Sequence, residues 1–166
     1  MLDVDGVLTA GGIVLGETES GEDVEVKTFS VKDGLGLTLA RAAGYRLGIL
    51  TGRTSRIVLR RARELAFDVI EQGHFDKTAA FLRILEEQKL DASQVMYVGD
   101  DLLDLRILAR VGFPVAVGDA PELVRDRALY VTRRNGGDGA VREIVDKLLA
   151  WTGRQDRAYR ALGIDV

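Results

Sequence analysis

The chain has 166 residues, of which 46% are hydrophobic and 30% charged, a composition typical of a globular domain with its own core. Its net charge is −3 and its basic residues are dispersed, which predicts no nucleic-acid partner. No apolar run approaches the roughly 20 residues that cross a bilayer, and cysteine is absent, so we expect a cytoplasmic protein without a membrane partner, disulfides or a zinc site.

Two aspartates, Asp3 and Asp5, stand at the end of a short apolar segment and are followed by Gly6. Side chains alternate along a strand, so the two carboxylates would point to opposite faces unless the chain curls at the glycine. A curled strand end would suit one carboxylate as nucleophile and metal ligand and the other as general acid and base. This segment alone fits a simple Asp-Gly turn equally well. Only Met1 and Leu2 precede Asp3, which predicts a poorly anchored first strand.

Residues 13–30 have the pattern of a β-hairpin inserted directly after the first strand, with its turn around Ser20 and Gly21. Val24 and Val26 alternate with charged residues, so one face of the hairpin is apolar. A lone hairpin is marginal in water and cannot cover its own face. We therefore favour packing of this face against another subunit, with packing against its own domain as the alternative.

From residue 35 onward, short apolar runs alternate with helical patterns. This alternation predicts the doubly wound α/β class, a parallel sheet with helices on both faces. The predicted strands are residues 45–50, 69–70, 95–98, 114–117 and 129–131. The predicted helices are residues 35–43, 55–66, 78–89, 102–110, 122–125 and 140–151. The polar segment 153–166 predicts a mobile tail, and the lack of repeats or linkers predicts a single domain over residues 1–166.

Several polar residues directly follow predicted strands, where doubly wound sheets bind their ligands. Asp3, Thr51 and Asp100 each come after such a strand, so we expect them to meet at one edge of the sheet. Thr51, Gly52 and Arg53 would offer a hydroxyl group, a small residue and a guanidinium group beside the start of a helix. Together these residues predict a phosphate-binding corner.

Lys77 and a cluster of acids add to this picture. Lys77 begins a predicted helix, where the helix dipole disfavours a cation, so a nearby anion would account for it. Asp100, Asp101 and Asp104 surround a glycine turn and would repel one another without a cation among them. For Asp101 and Asp104, capping of the next helix is an equally good interpretation. Oxygen ligands without thiolates predict a hard cation such as Mg²⁺.

The order of these groups along the chain is distinctive: Asp-x-Asp-Gly-x-Leu-Thr, then strand and Thr-Gly-Arg, then Lys, then strand and Gly-Asp-Asp-x-x-Asp. The ordered set resembles the haloacid dehalogenase-like hydrolases, in their capless branch that acts on sugar-acid phosphates, and the resemblance spans residues 3–149. It implies a Rossmann-like fold without a cap domain, in which the hairpin of residues 13–30 assembles a homotetramer. It also implies Mg²⁺-dependent hydrolysis of a phosphomonoester through an aspartyl-phosphate, with 3-deoxy-D-manno-octulosonate 8-phosphate as the expected substrate.

The same resemblance implies a role for each site residue. Asp3 would be the nucleophile, Asp5 the general acid and base, Thr51 a ligand of the phosphoryl group, and Lys77 the cation that balances Asp3 and phosphate. The Mg²⁺ ligands would be Asp3, the backbone carbonyl of Asp5, and Asp100. The substrate contacts would be Asp5, Lys32, Asp33, Gly34, Gly52, Arg53 and Arg61.

Three other interpretations fit part of this pattern. Thr38 stands where this branch often has an arginine, which leaves open a nonulosonate 9-phosphate as the substrate. A catalytically silent tetramerisation domain of sugar-nucleotide metabolism is the second alternative, although every chemical group is present. A phosphoacceptor receiver domain uses similar residues, but its phosphorylated aspartate lies mid-chain, where this chain has Thr-Gly-Arg.

Overall fold

A parallel sheet forms the centre of the molecule in a computed structural model that describes residues 1–165. The strands, in chain order, are β1 Val14–Glu17, β2 Asp23–Val26, β3 Gly48–Leu50, β4 Val69–Glu71, β5 Met96–Gly99, β6 Phe113–Ala116 and β7 Tyr130–Val131. Strands β3 to β7 are parallel to their neighbours. Leu2 forms parallel bridges to Ile49 and Val98, so the order across the sheet is β4-β3-Leu2-β5-β6-β7.

The segment around Leu2 is anchored better than its length predicts. The Leu2 amide donates to the Gly48 carbonyl at 2.9 Å, and the Leu50 amide donates to the Leu2 carbonyl at 3.0 Å. On the other side, the Asp3 amide donates to the Val98 carbonyl at 3.0 Å. The expectation of a poorly anchored strand was therefore wrong, because both neighbouring strands bond to this one short segment. Asp3 is consequently held at the carboxyl edge between β3 and β5.

Helices cover the sheet in two groups. They are α1 Val31–Ala42, α2 Arg56–Glu64, α3 Lys77–Gln88, α4 Leu105–Leu108, α5 Glu122–Arg125, α6 Ala140–Trp151 and α7 Gln155–Ala161. Helix α1 packs against α6 and α7, whereas α3 packs against α4. Leu37, Ile49, Phe81 and Tyr97 are among the side chains that fill the core. Within residues 1–165, no helix has the length and apolar character needed to cross a membrane. The predicted doubly wound α/β class is confirmed.

Helix boundaries differ from prediction where capping side chains act. Helix α1 begins at Val31 rather than residue 35, because the Ser30 hydroxyl accepts a hydrogen bond from the Asp33 amide and starts the helix earlier. Asp76 caps α3 by accepting from the Thr78 amide. The predicted helix 102–110 is a 3₁₀ turn over Leu102–Asp104 followed by α4.

The C-terminal segment is a correction to the sequence analysis. Residues 153–166 were expected to be a mobile tail, but α7 forms within them and packs against α1. Gly153, with a φ of +63°, lets the chain turn back after α6. Ala158 is then fully buried, because its small side chain allows close approach to the core. Val166 lies outside the described residues.

The predicted hairpin is present, with shorter strands than expected. Strands β1 and β2 pair antiparallel, with Val14 opposite Val26 and Gly16 opposite Val24, and Gly21 occupies the turn at a φ of +81°. This register places the three valines on one face. Their exposed fractions are 58% for Val14, 49% for Val26 and 38% for Val24, so the apolar face is open to solvent in the single chain.

Candidate active site

The loop after Leu2 curls back on itself, as the sequence predicted. Gly6 has a φ of +92°, and the Val4 carbonyl accepts hydrogen bonds from the amides of Val7, Leu8 and Thr9. The turn at residues 136–139 packs against this loop, and the Gly137 amide donates to the Val7 carbonyl at 2.9 Å. The loop that carries both aspartates is therefore fixed by its own hydrogen bonds and by one turn from a distant part of the chain.

Lys77 lies between two carboxylates at the floor of the site. Its Nζ is 2.9 Å from Asp3 Oδ2 and 2.7 Å from Asp104 Oδ1, and its side chain is 2% exposed. The Tyr97 hydroxyl also donates to Asp104 Oδ1, at 2.7 Å. Burial works against the charge of Lys77, but Asp3 and Asp104 outweigh it, so the pKa of Lys77 is raised. The lysine therefore remains an ammonium group. Asp3 and Asp104 are the nearby anions that a lysine at a helix start predicted.

Asp3, Asp100 and Asp104 form a cluster of carboxylates whose nearest oxygens lie within 4.8 Å of one another. Burial raises the pKa of Asp100 to about 8, and the charges of Asp3 and Asp104 add to this effect. Asp100 Oδ1 is buried without a hydrogen-bond partner among the described residues. A divalent cation would supply that missing partner and offset the repulsion.

Asp104 differs from the other two carboxylates because each of its oxygens has two donors, whereas Asp3 has one on each, from the Val4 amide and from Lys77. Its Oδ2 accepts from the amides of Asp100 and Asp101, at 2.9 and 3.3 Å, while its Oδ1 accepts from Lys77 and Tyr97. The helix-capping interpretation therefore fits Asp104, which also positions Lys77. Asp3 and Asp100 are left as the carboxylates available to a hard cation such as Mg²⁺.

The Asp5 carboxylate contacts two basic side chains, and Glu25 joins those two. Lys27, from the segment after β2, donates to Asp5 Oδ1. Arg53 Nε is 3.6 Å from Asp5 Oδ2, and Arg53 Nη2 is 3.2 Å from Glu25 Oε1. The structure thus brings the predicted residues Asp5 and Arg53 together. Lys27 and Glu25 were missed, since charges that alternate along a hairpin are typical of a solvent-exposed face.

Thr51 and Gly52 follow β3, directly beside the segment that carries Asp3. Thr51 is buried, and its backbone amide and carbonyl bond to Glu71 and His74. A Cβ atom added at Gly52 would make an ordinary contact with the His74 carbonyl, at 3.8 Å. Thr51 and Gly52 therefore lie at the carboxyl end of β3, beside the segment of Asp3, and phosphate binding by this corner stays a prediction.

The predicted substrate contact Asp33 has a different role in the structure. Its side chain is 1% exposed, and its carboxylate accepts hydrogen bonds from the amides of Gly139 at 3.2 Å and Arg142 at 2.7 Å. It therefore caps α6 and joins this helix to α1. A carboxylate used in this way is not available to a sugar, so the prediction of a side-chain contact from Asp33 was wrong.

The other predicted sugar contacts lie around the start of α1. Lys32 is exposed. The Arg61 guanidinium is 5.8 Å from the centre of the Phe29 ring and pairs with Glu64 at 2.8 Å. A side chain at Gly34 would come within 2.5 Å of Arg61 Nη2, so glycine lets the arginine approach. These contacts place Gly34 and Arg61 against each other, and their contact with substrate stays a prediction.

Replacing Asp33 with alanine is expected to reduce stability without weakening substrate binding. The change leaves buried amides at the start of α6 unpaired, which costs about 1–3 kcal/mol. Chemical denaturation measures the loss, with the exposed Asp156→Ala as the control. A raised KM with unchanged stability would instead restore Asp33 as a substrate contact.

Comparison with known proteins agrees with this geometry. A family model described as haloacid dehalogenase-like hydrolase matches residues 66–144. The 3-deoxy-D-manno-octulosonate 8-phosphate phosphatase KdsC of Escherichia coli K12 is 44% identical over 158 residues, which cover 95% of this chain and 82% of that protein. The enzyme of the same name from Yersinia pestis is 40% identical over 164 residues, covering 99% of this chain and 84% of that one.

Solved structures give the same result. The crystal structure of 3-deoxy-D-manno-octulosonate 8-phosphate phosphatase from Moraxella catarrhalis, in complex with magnesium ion, phosphate ion and KDO, superposes with a TM-score of 0.87. Its sequence is 39% identical, and the match covers 93% of this chain and 87% of that one. The identity, the coverage and the shared fold together show that the chain belongs to the haloacid dehalogenase-like hydrolases, in the family of 3-deoxy-D-manno-octulosonate 8-phosphate phosphatases.

Proposed function

We propose that the protein is a Mg²⁺-dependent phosphatase that hydrolyses 3-deoxy-D-manno-octulosonate 8-phosphate. The observation that carries the proposal is the cluster of Asp3, Lys77 and Asp100 at the carboxyl edge of the sheet, with Asp5 in the curled loop that follows Asp3. A phosphomonoester carries close to two negative charges, so an anionic nucleophile needs cations beside it. Lys77 supplies one such cation, and the unpartnered oxygen of Asp100 fits a second.

Each residue of the site has a distinct part in the proposed reaction. Asp3 attacks phosphorus and forms an aspartyl-phosphate as the bond to the sugar oxygen breaks, and Asp5 gives that oxygen a proton. In the second half, Asp5 takes a proton from water, the water oxygen bonds to phosphorus, and Asp3 is released. Lys77 and Thr51 hold the phosphoryl oxygens throughout. Mg²⁺ held by Asp3, Asp100 and the Asp5 carbonyl would neutralise phosphoryl charge when bound.

The choice of sugar rests on the relatives. The Moraxella catarrhalis structure contains magnesium, phosphate and KDO, and the curated relatives carry the octulosonate 8-phosphate name. Arg53 is exposed near Asp5, where a cation would suit the carboxylate of a sugar acid. Gly52, Lys32, Gly34 and Arg61 remain proposed contacts of the same substrate. The names and the bound KDO of the relatives favour the octulosonate over a nonulosonate, and the intact chemical groups favour an enzyme over a silent assembly domain.

The test is release of inorganic phosphate from the purified protein. We expect 3-deoxy-D-manno-octulosonate 8-phosphate to be hydrolysed with Mg²⁺, with a kcat/KM about tenfold or more above that for a nonulosonate 9-phosphate. Chelation by EDTA should stop the reaction, and added Mg²⁺ should restore it. Higher kcat/KM for the nonulosonate would reassign the substrate, and no release from either compound would support the silent alternative.

We propose further that the chain is a single catalytic domain without a cap and that four copies assemble through the hairpin of residues 13–30. The apolar face of Val14, Val24 and Val26 is open to solvent in the single chain and needs a cover. Closed symmetry would give each hairpin the same environment.

We also propose that the protein is cytoplasmic, which cell fractionation checks.

The double variant Val24→Asp, Val26→Asp is expected to dissociate the assembly. Each valine fully removed from water would contribute roughly 1.5–3 kcal/mol, and a buried unpaired carboxylate would add a further cost. Light scattering measures the mass of the particle. The variant Glu17→Gln, on the opposite face of the hairpin, is the control and should keep the mass unchanged. A monomeric unchanged protein would show that the hairpin has another purpose.

A further inference from the structure

The Asp5 carboxylate belongs to a ring of alternating charges that the hairpin segment helps to build. Lys27 is bonded to Asp5 Oδ1, and its Nζ is 3.6 Å from Glu25 Oε1. Arg53 closes the ring through Glu25 at 3.2 Å and Asp5 Oδ2 at 3.6 Å. The Ser55 hydroxyl donates to Glu25 Oε2 at 2.6 Å, which ties the ring to the start of α2. Two separate segments of the chain, residues 25–27 and 53–55, therefore fix the surroundings of Asp5.

Lys27 is the buried member of this ring. Its side chain is 1% exposed, whereas that of Arg53 is 46% exposed. Lysine is almost never fully buried unless it is paired, because its ammonium group loses hydration. The carboxylates of Asp5 and Glu25 compensate for this loss. Lys27 therefore has a fixed position, unlike a lysine on a solvent-exposed hairpin.

The contacts of Lys27 make the two oxygens of Asp5 unequal. Oδ1 accepts from Lys27 and from the Thr9 hydroxyl, the latter at 3.4 Å. Oδ2 has Arg53 Nε at 3.6 Å, which is beyond hydrogen-bond distance. One oxygen is therefore anchored, and the other is free to exchange a proton with a group in the site.

We infer that Lys27 is a positioning residue that anchors Asp5 Oδ1, so that Oδ2 is the oxygen that carries the proton. This inference rests on the proposed function. In the first half of the reaction, Oδ2 gives its proton to the sugar oxygen as that oxygen leaves phosphorus. In the second half, Oδ2 takes a proton from water as the water oxygen bonds to phosphorus and Asp3 is released. The segment after β2 would then act in catalysis within its own chain.

The variant Lys27→Met tests the inference because methionine keeps most of the length of the side chain but not the charge. Loss of the anchor should lower kcat for the sugar phosphate by about 10²-fold, the usual effect of a misplaced reacting group. With p-nitrophenyl phosphate the first half needs no acid, since nitrophenolate leaves unprotonated. We therefore expect a burst of nitrophenolate approaching one per active site, followed by slow turnover.

A purely structural role would give a different pattern. In that case the burst amplitude and the turnover of both substrates would fall together, and this outcome would overturn the inference. Lys27→Arg, which keeps a cation, should turn over the sugar phosphate faster than Lys27→Met, and equal rates would also overturn it. Lys147→Met, at an exposed lysine of α6, is the matched control and should keep the kinetics of the unchanged protein.

The same assays separate this inference from the proposed function. An unchanged protein without Mg²⁺-dependent phosphatase activity would refute the proposed function and the inference together. An active unchanged protein whose kinetics are shared by Lys27→Met would overturn the inference alone.

Discussion

Replacing Asp3 with asparagine is expected to abolish phosphate release, with a loss of roughly 10⁴-fold or more in kcat. An amide is a poor nucleophile and cannot ligate a metal as an anion. It would also leave Lys77, which lies 2.9 Å from Asp3 Oδ2, with one carboxylate fewer. Stopped assays of phosphate release, run at high enzyme concentration, measure the residual rate.

The control for this variant is Asp156→Asn, an equivalent change at an exposed aspartate of α7. It should leave the rate and the Mg²⁺ dependence unchanged. Asp3→Asn should keep its melting profile close to that of the unchanged protein, because asparagine has nearly the same shape and Lys77 keeps its pair with Asp104. Retention of more than a small fraction of the activity in a folded Asp3→Asn variant would refute Asp3 as the nucleophile.

Replacing Lys77 with methionine should damage both activity and stability. Removal of one group that stabilises transition-state charge typically lowers kcat by about 10²–10³-fold. The change also leaves Asp3 and Asp104 close together without their shared cation, and breaking a buried pair in this way costs about 3–5 kcal/mol. Kinetics and urea denaturation in EDTA measure the two effects.

The loss of stability expected for Lys77→Met can be checked separately by adding Mg²⁺. Mg²⁺ binds beside the same carboxylates in the proposed site, so saturating Mg²⁺ should recover part of the stability that Lys77→Met loses but little of its activity. Lys147→Met should be unchanged in both measurements. A Lys77→Met protein that is as stable in EDTA as the unchanged protein would contradict the role of Lys77 between the two carboxylates.

The floor of the site could be predicted from the sequence because its residues follow buried strands. Asp3, Thr51 and Asp100 each come after an apolar run, and parallel strands bring such positions to one edge. Lys77 stood out because a cation at a helix start is unfavourable without a nearby anion. For these residues, the local sequence pattern and the fold of the whole chain predict the same position.

Other contacts could not be predicted because they join distant parts of the chain. The Asp33 carboxylate bonds to an amide 109 residues further on, and no local pattern separates a helix cap from a sugar contact. Lys27 and Asp5 are 22 residues apart and are joined only once the hairpin segment folds over the site. Helix α7 was missed for a related reason, since burial of Ala158 depends on packing against α1 rather than on composition.

The turn at residues 136–139, which packs on the loop after Leu2, limits how this protein could be redesigned. A methyl group on residue 136 would lie 1.6 Å from the Gly6 carbonyl oxygen, and one on residue 137 would lie 2.4 Å from the Ala10 amide. A methyl group on residue 6 would lie 2.0 Å from Asp100 Oδ2. A library that aims at new substrates should therefore leave these three glycines untouched and diversify the exposed rim around Arg53 and Lys32, where added side chains have room.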